Sequence, residues 1–461
     1  MEIKITDSHL FFTFDDEQQR KNLNHFFTFE DKTKVFVGGK YDVNKIRRVN
    51  FIKSKKKLNW LHSGFLQEFL IFAKRNNIKI DIDDQRTSLP HQKVNFTIEH
   101  LNKYFPFDYN KHQVEALQRL LKVRRGIVKM PTGSGKGDLI ISFLLETQEP
   151  ALVIVDRVLL AEQLTERAKE SGLENVGILT GKKNDTENKK IVFATIGSIK
   201  KIPAFHNFRM LIVDELHHAS SKRFQDFLFE TSFPVQVGFS ATPDKEDKYI
   251  FALIRQYFGG IVFEVLAETM VQNEVIAKPK IIFLENEVNP MIDWPSSYKE
   301  CIIKNSERNK LIVDIVEKHQ EKILVLIKDV KNKQGEILKN YIMENTTKNV
   351  EFIQGATKNR QEVLDWFEKG DLDVLISTNI LNEGISLKEI RILVNASGGK
   401  SKVENLQKIG RGTRIKKDKK EVLVYDFLDL GNKFTQRHSR ERMRIYIKEG
   451  FTDIIKQSSV I

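Results

Sequence analysis

Two successive sets of short, continuously apolar runs constrain what this chain can fold into. The first set is GIVKM, ALVIVD, KIVFAT, MLIVDE and QVGFSA, and the second is KIIFLE, ILVLIK, EFIQGA, DVLIST, IRILVNAS and EVLVYDF. Helix-like segments separate most of the runs. Strands that are apolar on both faces are typical of parallel sheets with helices on each side. The chain is therefore predicted to contain two tandem α/β domains, over residues 96–270 and 271–461.

Residues 1–95 have a different pattern and are predicted to form a small α+β domain. Aromatic and β-branched runs indicate strands at HLFFTF, HFFTF, KVFVGG and RVNFI. The segment GFLQEFLIFAKRNN has apolar residues at helical spacing and is predicted to be a helix. Ser88–Pro90 is a candidate linker. The residues after about 448 are expected to form a helix or a loose tail.

Composition narrows the class of protein and its compartment. No run of about 18 apolar residues occurs, so no membrane span is expected. Glu2 and Asp7 interrupt the first residues, so a secretory signal is not expected. Cys301 is the only cysteine, which excludes an internal disulfide framework and a cysteine-based zinc site. A cytoplasmic location is expected. Lys and Arg total 75 against 62 Asp and Glu, and this net charge of +13 favours a polyanionic partner.

The basic excess is concentrated in residues 40–57. This segment contains eight Lys or Arg residues and one acid, Asp42. One interpretation is a solvated face. The other is a phosphate-contacting patch that includes Lys55, Lys56 and Lys57, with Phe51 and Trp60 nearby for stacking on bases.

The segment 130–137 reads MPTGSGKG and lies between a predicted strand and a predicted helix. A glycine-rich turn in this position exposes backbone N–H groups and the positive end of a helix to phosphates. Lys136 is expected to reach the β- and γ-phosphates of a nucleotide. A simple glycine turn is the alternative. The candidate phosphate-binding residues are Pro131, Thr132, Gly133, Ser134, Gly135, Lys136 and Gly137.

Gly137 departs from the usual phosphate loop, in which a Ser or Thr hydroxyl after the lysine binds magnesium. We expect water, nucleotide oxygens and Asp214 to complete the magnesium shell. On this hypothesis Gly137→Thr retains ATP hydrolysis, whereas Lys136→Ala loses it.

The run MLIVDELHH at 210–218 is predicted to be a buried strand that ends in two carboxylates. Open α/β sheets bind ligands at the carboxyl ends of their strands. Asp214 is the candidate magnesium ligand and Glu215 the candidate general base, with His217 linking the site to the next segment. A charged strand end without catalytic function is the alternative.

The order of four motifs resembles that of superfamily 2 helicases of the DExH type. The motifs are MPTGSGKG, DELHH, SAT at 240–242 and QKIGRGTR at 407–414. The resemblance extends over about 96–430. It implies two RecA-like motor domains that bind ATP and Mg²⁺ between them.

The same resemblance assigns further residues. It implies adenine recognition by Gln113 with Tyr109 or Phe107 as stacking partner, and it places Gly384 at the nucleotide. It also implies that Gln407, Arg411 and Arg414 act in catalysis, the arginines at the γ-phosphate. The implied nucleic-acid contacts are Arg157, Gln163, Thr195, Ser198 and Thr378.

Within the superfamily, the compact motor domains and the small basic N-terminal region are similar to the phage UvsW-type branch-migration helicases. That resemblance implies a monomeric DNA translocase that acts on forks, displacement loops or junctions, or on DNA with a single-stranded segment. An RNA helicase, a restriction-type or repair translocase, and an ATP-gated DNA-binding protein with little turnover remain as alternatives.

Overall fold

A computed structural model of the chain describes most of its 461 residues. The chain divides into two compact units, one comprising Met1–Met130 and Gly135–Glu264, the other Val265–Ile461 with the short segment Pro131–Ser134. The described residues are 1–32, 35–37, 40–42, 46–87, 111–201, 207–243, 247–273, 275–328, 331, 333–355, 357–378, 390–399, 421–449, 451 and 453–458.

The N-terminal part of the first unit is built on a five-stranded sheet. Its strands are ordered Lys53–Lys55, Leu58–His62, His9–Phe12, Glu2–Ile5 and Asp81–Asp84. The last pair is parallel and the others are antiparallel. Two further hairpins pair Thr28–Asp31 with Arg47–Asn50, and Val35–Val37 with Lys40–Asp42.

Two helices accompany these strands, Glu17–Phe26 and Leu66–Arg75. The second is the helix that the apolar spacing predicts, and it buries Phe69, Phe72 and Ala73. The first corrects the prediction of a strand at HFFTF, because the helix runs to Phe26 and the strand begins only at Thr28. Asp16 starts this helix, since its side chain accepts a hydrogen bond from the Gln19 N–H at 2.7 Å.

The larger part of the first unit is an eight-stranded sheet that is parallel except for one short edge strand. The strand order is Asn184–Asp185, Val176–Leu179, Ile191–Thr195, Ala151–Val155, Met210–Val213, Val235–Ser240, Arg125–Lys129 and Ile261–Glu264. The α-helices are Lys111–Leu120, Lys136–Thr147, Val158–Glu170, Lys222–Glu230 and Lys248–Phe258, with 3₁₀ turns at Ile196–Lys201 and Leu216–Ser220. All five apolar runs of the first set are strands, as predicted.

The second unit contains a seven-stranded, wholly parallel sheet. Its order is Val350–Ile353, Val374–Ser377, Ile323–Leu326, Ile392–Asn395, Glu421–Leu430, Lys278–Glu287 and Ile454–Gln457. The helices are Ala267–Gln272, Trp294–Ser297, the π-helix Tyr298–Ile303, Ser306–Lys318, Gln334–Asn345, Arg360–Lys369 and Lys433–Lys448. The chain beyond 448, expected to be a helix or a tail, adds the edge strand. Within the described ranges, no helix is long and apolar enough to cross a membrane.

The N-terminal sheet and the eight-stranded sheet share a core, which explains why they form one unit. The apolar cluster beneath the N-terminal sheet continues onto Ala252 and Leu253 of helix Lys248–Phe258. The Arg125 guanidinium lies at this junction. It donates hydrogen bonds to the backbone carbonyls of Asp7 and Tyr257 and to the Gln236 side chain. Arg255 and Glu68 form a second cross-link at 2.8 Å. Removal of either arginine leaves buried acceptors unpaired.

Two histidines of the N-terminal sheet also lie at the junction. The His62 ring is 4.6 Å from the His9 ring and 4.4 Å from the Tyr257 ring, measured between centroids. Burial, together with the charges of His9 and Arg125, lowers the pKa of His62 to about 3. His62 is therefore neutral in the folded protein at neutral and mildly acidic pH.

We expect acid to weaken the fold through His62. The unfolded chain binds a proton as pH falls below about 6.5, whereas the folded chain does not do so until about pH 3. This contribution to stability is complete above pH 6.5 and is lost progressively below it, by roughly 1–2 kcal/mol at pH 5. Urea unfolding at pH 8 and pH 5 measures the loss. His62→Asn should reduce it, while substitution of the exposed His25 should leave it unchanged; an identical acid loss in His62→Asn would contradict the assignment.

Candidate functional site

The predicted phosphate loop connects strand Arg125–Lys129 to helix Lys136–Thr147. Gly133 and Gly135 have φ values of 87° and 80°, a backbone region that L side chains rarely adopt. A Cβ at Gly135 would also lie 2.4 Å from Nε2 of Gln113. The Lys136 ammonium donates to the Met130 carbonyl at 3.3 Å. The Thr132 hydroxyl is buried and has no hydrogen-bond partner among the described residues. A glycine-shaped turn with a lysine and an unsatisfied hydroxyl fits a bound phosphate.

Gln113, the predicted adenine reader, lies against this loop. It is on helix Lys111–Leu120, is 3% exposed, and donates from Nε2 to the Gly135 carbonyl at 3.3 Å. Its neighbours Val114, Leu117 and Leu120 face the core, as the apolar spacing suggests. Gln113 therefore supports the loop backbone, and its role toward adenine stays a prediction. Tyr109 and Phe107 lie outside the described residues.

The neighbouring helix Val158–Glu170 explains why residue 137 is a glycine. A Cβ on Gly137 would lie 3.1 Å from Cδ2 of Leu164, which is 2% exposed, and 3.8 Å from Nη1 of Arg167. Arg167 also forms an ion pair with Asp138, the next residue of the phosphate-loop helix. The space that a Ser or Thr side chain would need is thus limited by a close helix–helix contact.

The two carboxylates lie at the carboxyl end of strand Met210–Val213. Asp214 is 6% exposed, and its Oδ1 accepts from the Glu215 N–H at 3.0 Å. Glu215 has a left-handed backbone (φ 50°, ψ 51°), which is costly for a residue other than glycine. Strain at a buried acidic pair is typical of a functional site.

His217 links Glu215 to the next strand of the sheet. Its Nδ1 lies 3.3 Å from Oε2 of Glu215 and 3.3 Å from Oγ of Ser240. The Ser240 hydroxyl in turn accepts from the Thr242 N–H at 3.1 Å. These contacts join the DELHH and SAT motifs into one polar network, in which His217 and Ser240 are 23 positions apart in the sequence. His217 is 3% exposed, so water does not compete for these contacts.

Burial and neighbouring charges shift the pKa values of Asp214 and Glu215 in opposite directions. Burial raises the pKa of Asp214, and the neighbouring Glu215 charge raises it further. In Glu215 burial also acts to raise the pKa, but the hydrogen bond with His217 and the charge of Lys136 outweigh it and lower the pKa. Glu215 is therefore ionised at neutral pH, and Asp214 is the member of the pair that accepts a proton first as the pH falls. A divalent cation beside Asp214 would favour its ionised form.

The carboxylates of this site suit Mg²⁺, which also binds substrate phosphates and waters, better than a metal ion that only protein side chains coordinate. In the described part of the chain, no group of three or more His, Cys, Asp or Glu side chains converges on one point. Mg²⁺ characteristically takes one or two carboxylates together with substrate phosphates and waters. Asp214, next to a phosphate loop, provides such a ligand, and Gly137 provides none.

Three of the predicted nucleic-acid contacts lie at the carboxyl ends of two adjacent strands. Thr195 and Ser198 are buried, and their hydroxyls are 3.0 Å apart, bonded to each other. Arg157 follows strand Ala151–Val155, and its Nε lies 3.0 Å from Oδ2 of Asp156. Gln163 is half-buried on the helix that follows. Their role toward nucleic acid stays a prediction.

Sequence reasoning missed a contact between these residues and the acidic pair. Asp156 lies 3.7 Å from Nε2 of His218, through its other oxygen. The His218 ring is 4.1 Å from the His217 ring. Asp156 therefore touches both the predicted phosphate contact Arg157 and the histidine pair beside Glu215. The only signal in the sequence was an acid directly before Arg157 at the end of a buried strand.

In the part of the second unit from Val265 onward, one of the predicted site residues is described. Thr378 follows strand Val374–Ser377 and is 3% exposed, and its hydroxyl has no hydrogen-bond partner among the described residues. Gly384, Gln407, Arg411 and Arg414 lie outside the described residues. In the N-terminal sheet, Lys55 ends a strand and Lys56 and Lys57 form the following turn, all three exposed.

The contact at Gly137 predicts a coupled pair of substitutions. Gly137→Thr should be destabilising by about 1–3 kcal/mol, because the added Cβ requires Leu164 to move. Leu164→Ala removes the opposing methyl group. The double variant should therefore lose less stability than the two single variants lose in total. Chemical denaturation measures this cycle, and strictly additive effects would contradict the contact. Gly181→Thr is the control, because nothing lies within 4 Å of a Cβ there. The Gly137→Thr/Leu164→Ala protein should still hydrolyse ATP.

Two family models match the chain and together cover more than half of it. The model described as Type III restriction enzyme, res subunit, matches residues 106–245. The model described as Helicase conserved C-terminal domain matches residues 307–416. The first match contains the phosphate loop and the acidic pair, and the second contains the QKIGRGTR motif.

Named relatives agree with these models. The DNA 3'-5' translocase XPB2 of Sulfurisphaera tokodaii is 23% identical over 359 residues, which cover 68% of this chain and 80% of the relative. The ATP-dependent DNA helicase uvsW of Enterobacteria phage T4 is 25% identical and is matched over 96% of both chains. The fold is similar to that of Saccharomyces cerevisiae Dbp5 bound to RNA and ADP BeF3, with a TM-score of 0.54, 16% identity, and coverage of 76% of this chain and 90% of that one. The predicted pair of RecA-like domains is confirmed. The chain has UvsW-like relatives. It belongs to the superfamily 2 helicases, which are nucleic-acid-dependent ATPases.

Proposed function

We propose that this protein is an ATP-driven DNA translocase that remodels branched DNA, such as forks, displacement loops and four-way junctions. The observation that carries the ATPase part is the group Lys136, Asp214, Glu215 and His217 at one edge of a parallel sheet. The DNA part is supported by the names of two relatives, a DNA translocase and a DNA helicase, and by the basic excess of the chain. Cytoplasmic location and action as a monomer are part of the proposal.

In the proposed ATPase reaction, the phosphate loop and Lys136 bind the β- and γ-phosphates. Asp214 would hold Mg²⁺, which would help to neutralise the phosphate charge. The ionised Glu215, oriented by His217, accepts a proton from the attacking water as the water oxygen bonds to the γ-phosphorus. The bond to the β-phosphate oxygen breaks, which leaves ADP and inorganic phosphate. A low pKa for Glu215 keeps it in the basic form across the physiological range.

The second unit is proposed to contribute Gln407, Arg411 and Arg414 to the same nucleotide, with Gly384 close to it. A planar guanidinium can donate to two phosphate oxygens at once, which lysine cannot do equivalently. An arginine supplied in this way is worth roughly 10³–10⁵ in rate. ATP would then favour closure of the two domains, and hydrolysis would release it.

Movement follows if each domain also holds the phosphates of one strand. Arg157, Gln163, Thr195 and Ser198 are the proposed contacts of the first domain, and Thr378 that of the second. Contacts to the backbone carry no sequence information, so such a motor can move over any sequence. Asp156, which touches both Arg157 and His218, offers a short connection between strand binding and Glu215.

The test compares ATP turnover and strand displacement in the parent and in two active-site variants. We expect DNA to stimulate the parent ATPase, and forks and junctions to be unwound in preference to blunt duplex and RNA hybrids. Lys136→Ala should lose ATP hydrolysis, and Glu215→Gln should bind ATP without hydrolysing it. In each variant, ATP turnover should fall by at least about 10²-fold. Equal turnover with and without DNA would overturn the translocase. Stronger stimulation by RNA would favour an RNA helicase, and full DNA binding with negligible turnover would favour an ATP-gated binding protein.

A second prediction concerns the N-terminal patch. Joint substitution of Lys55, Lys56 and Lys57 by glutamine should weaken binding to forked DNA and lower the salt slope of binding, by up to about 0.9 per lost phosphate contact. Fluorescence anisotropy between about 50 and 200 mM KCl measures both quantities. Joint substitution of the exposed Lys21, Lys74 and Lys79 is the charge-matched control on the same sheet domain. A salt slope equal to that of the parent would remove the patch from the DNA interface.

A further inference from the structure

The helix Lys433–Lys448 carries a row of cations that no motif explains. At 16 residues it is the longest helix of the described chain. It connects the long strand Glu421–Leu430 to the edge strand Ile454–Gln457. Asn432 caps its start, with the side-chain oxygen accepting from the Phe434 and Thr435 N–H groups.

Every cation of the row faces solvent. The spacing of four, three, four and four residues places them on one face of the helix. Over this length the row extends about 22 Å along the helix axis. The cations, all exposed, are Lys433, Arg437, Arg440, Arg444 and Lys448.

The buried side of the helix fixes the direction of the row. Arg442 is 1% exposed, and its guanidinium lies 2.9 Å from Asp426 and donates to the carbonyls of Gly399 at 2.7 Å and Phe427 at 2.8 Å. Tyr446 donates from its hydroxyl to Asp426 at 2.7 Å. Breaking a buried ion pair of this kind is strongly destabilising. The helix therefore cannot turn about its axis to pair its exposed cations elsewhere.

Two cations of the row, Arg437 and Arg440, form no hydrogen bond or ion pair within the described residues. Lys433 has its ammonium 5.1 Å from the Phe434 ring. Arg444 pairs at 3.5 Å with Glu441, but that contact is largely exposed and worth little. Like charges at this spacing destabilise a helix, and an interaction outside the chain that binds these cations would offset that effect.

We propose that this row is a docking surface for the phosphate backbone of nucleic acid. Neighbouring cations are about 5–6 Å apart, and the row spans the axial rise of about six base pairs. Arginine is the cation suited to phosphate recognition, and three of the five are arginines. The inference rests on the proposed function, which supplies DNA as the ligand, and adds a contact surface on the second unit that lies outside the helicase motifs.

The chemistry of the helix argues against a membrane surface. A helix that lies in a membrane interface inserts an apolar face. Here the apolar face, with Ile445 and Tyr446, is packed in the core of the second unit. Ile447 is the one large apolar side chain of the helix that is strongly exposed, at 56%. Attraction to phosphates without insertion fits a nucleic-acid backbone.

The test uses the full chain with Arg437, Arg440 and Arg444 all changed to glutamine. Anisotropy with single-stranded and forked DNA between about 50 and 200 mM KCl should show weaker binding. The salt slope should fall by up to about 0.7 per contact on single strands or 0.9 on duplex, so by up to about 2–3 in total. ATP turnover without DNA should be unchanged, and DNA-stimulated turnover should need more DNA to reach half its maximum.

Two further variants make the result decisive. Changing the same three arginines to lysine retains the charge and should restore most of the salt slope. Changing Lys310, Lys318 and Lys369 to glutamine removes three exposed cations from other helices of the same unit and should have a smaller effect.

Three outcomes would contradict a part of the interpretation. Parent-like affinity and salt slope in the variant with the three arginines changed to glutamine, with normal DNA stimulation of the parent, would overturn the docking surface alone. Failure of the parent to respond to DNA would instead overturn the proposed function. Loss of binding to anionic vesicles but not to DNA would assign the row to a membrane.

Discussion

The site depends on charges of opposite sign that lie close together at the end of a buried strand. Asp214 and Glu215 are consecutive acids at the end of a buried strand, and two ionised carboxylates there would repel each other strongly. Lys136 and His217 offset this repulsion for Glu215, while Asp214 is left with a raised pKa. Glu215 also has a left-handed backbone, a strained conformation of the kind that clusters at functional sites. Lys136 and Asp214 are thus placed to bind a triphosphate and its Mg²⁺, respectively.

A second constraint is the way the N-terminal sheet joins the ATP-binding sheet. A shared apolar cluster and two half-buried arginines, Arg125 and Arg255, connect them, so the basic turn at Lys55–Lys57 moves with the first motor domain. If that turn binds DNA, this DNA contact belongs to the domain that binds the phosphates of ATP. The proposed row on helix Lys433–Lys448 would add a DNA contact on the second unit. Two backbone contacts on separate units are what a motor needs in order to shift one contact relative to the other.

The sequence predicted the core of the fold well and its margins less well. Continuous apolar runs identify buried parallel strands because both faces of such strands are covered, and all eleven runs proved to be strands. The N-terminal strands Glu2–Ile5 and Asp81–Asp84 were not predicted, since polar residues dominate one or both of their faces. At HFFTF, aromatic content suggested a strand, but the cap at Asp16 and the polar run after it begin a helix. Local capping outweighed residue preference there.

For the site, the sequence alone determined which residues carry the chemistry. A glycine-rich turn before a lysine and two acids after a buried strand have few physical uses other than binding a triphosphate, and their order identified the superfamily. Only the tertiary structure decided how these residues are paired. It brought Ser240 to His217, Asp156 to His218 and Leu164 to Gly137, because parallel strands and their helices juxtapose residues far apart in the chain. It also decided that five cations near the C-terminus share one exposed face, since the buried pair of Arg442 and Asp426 fixes the rotation of their helix.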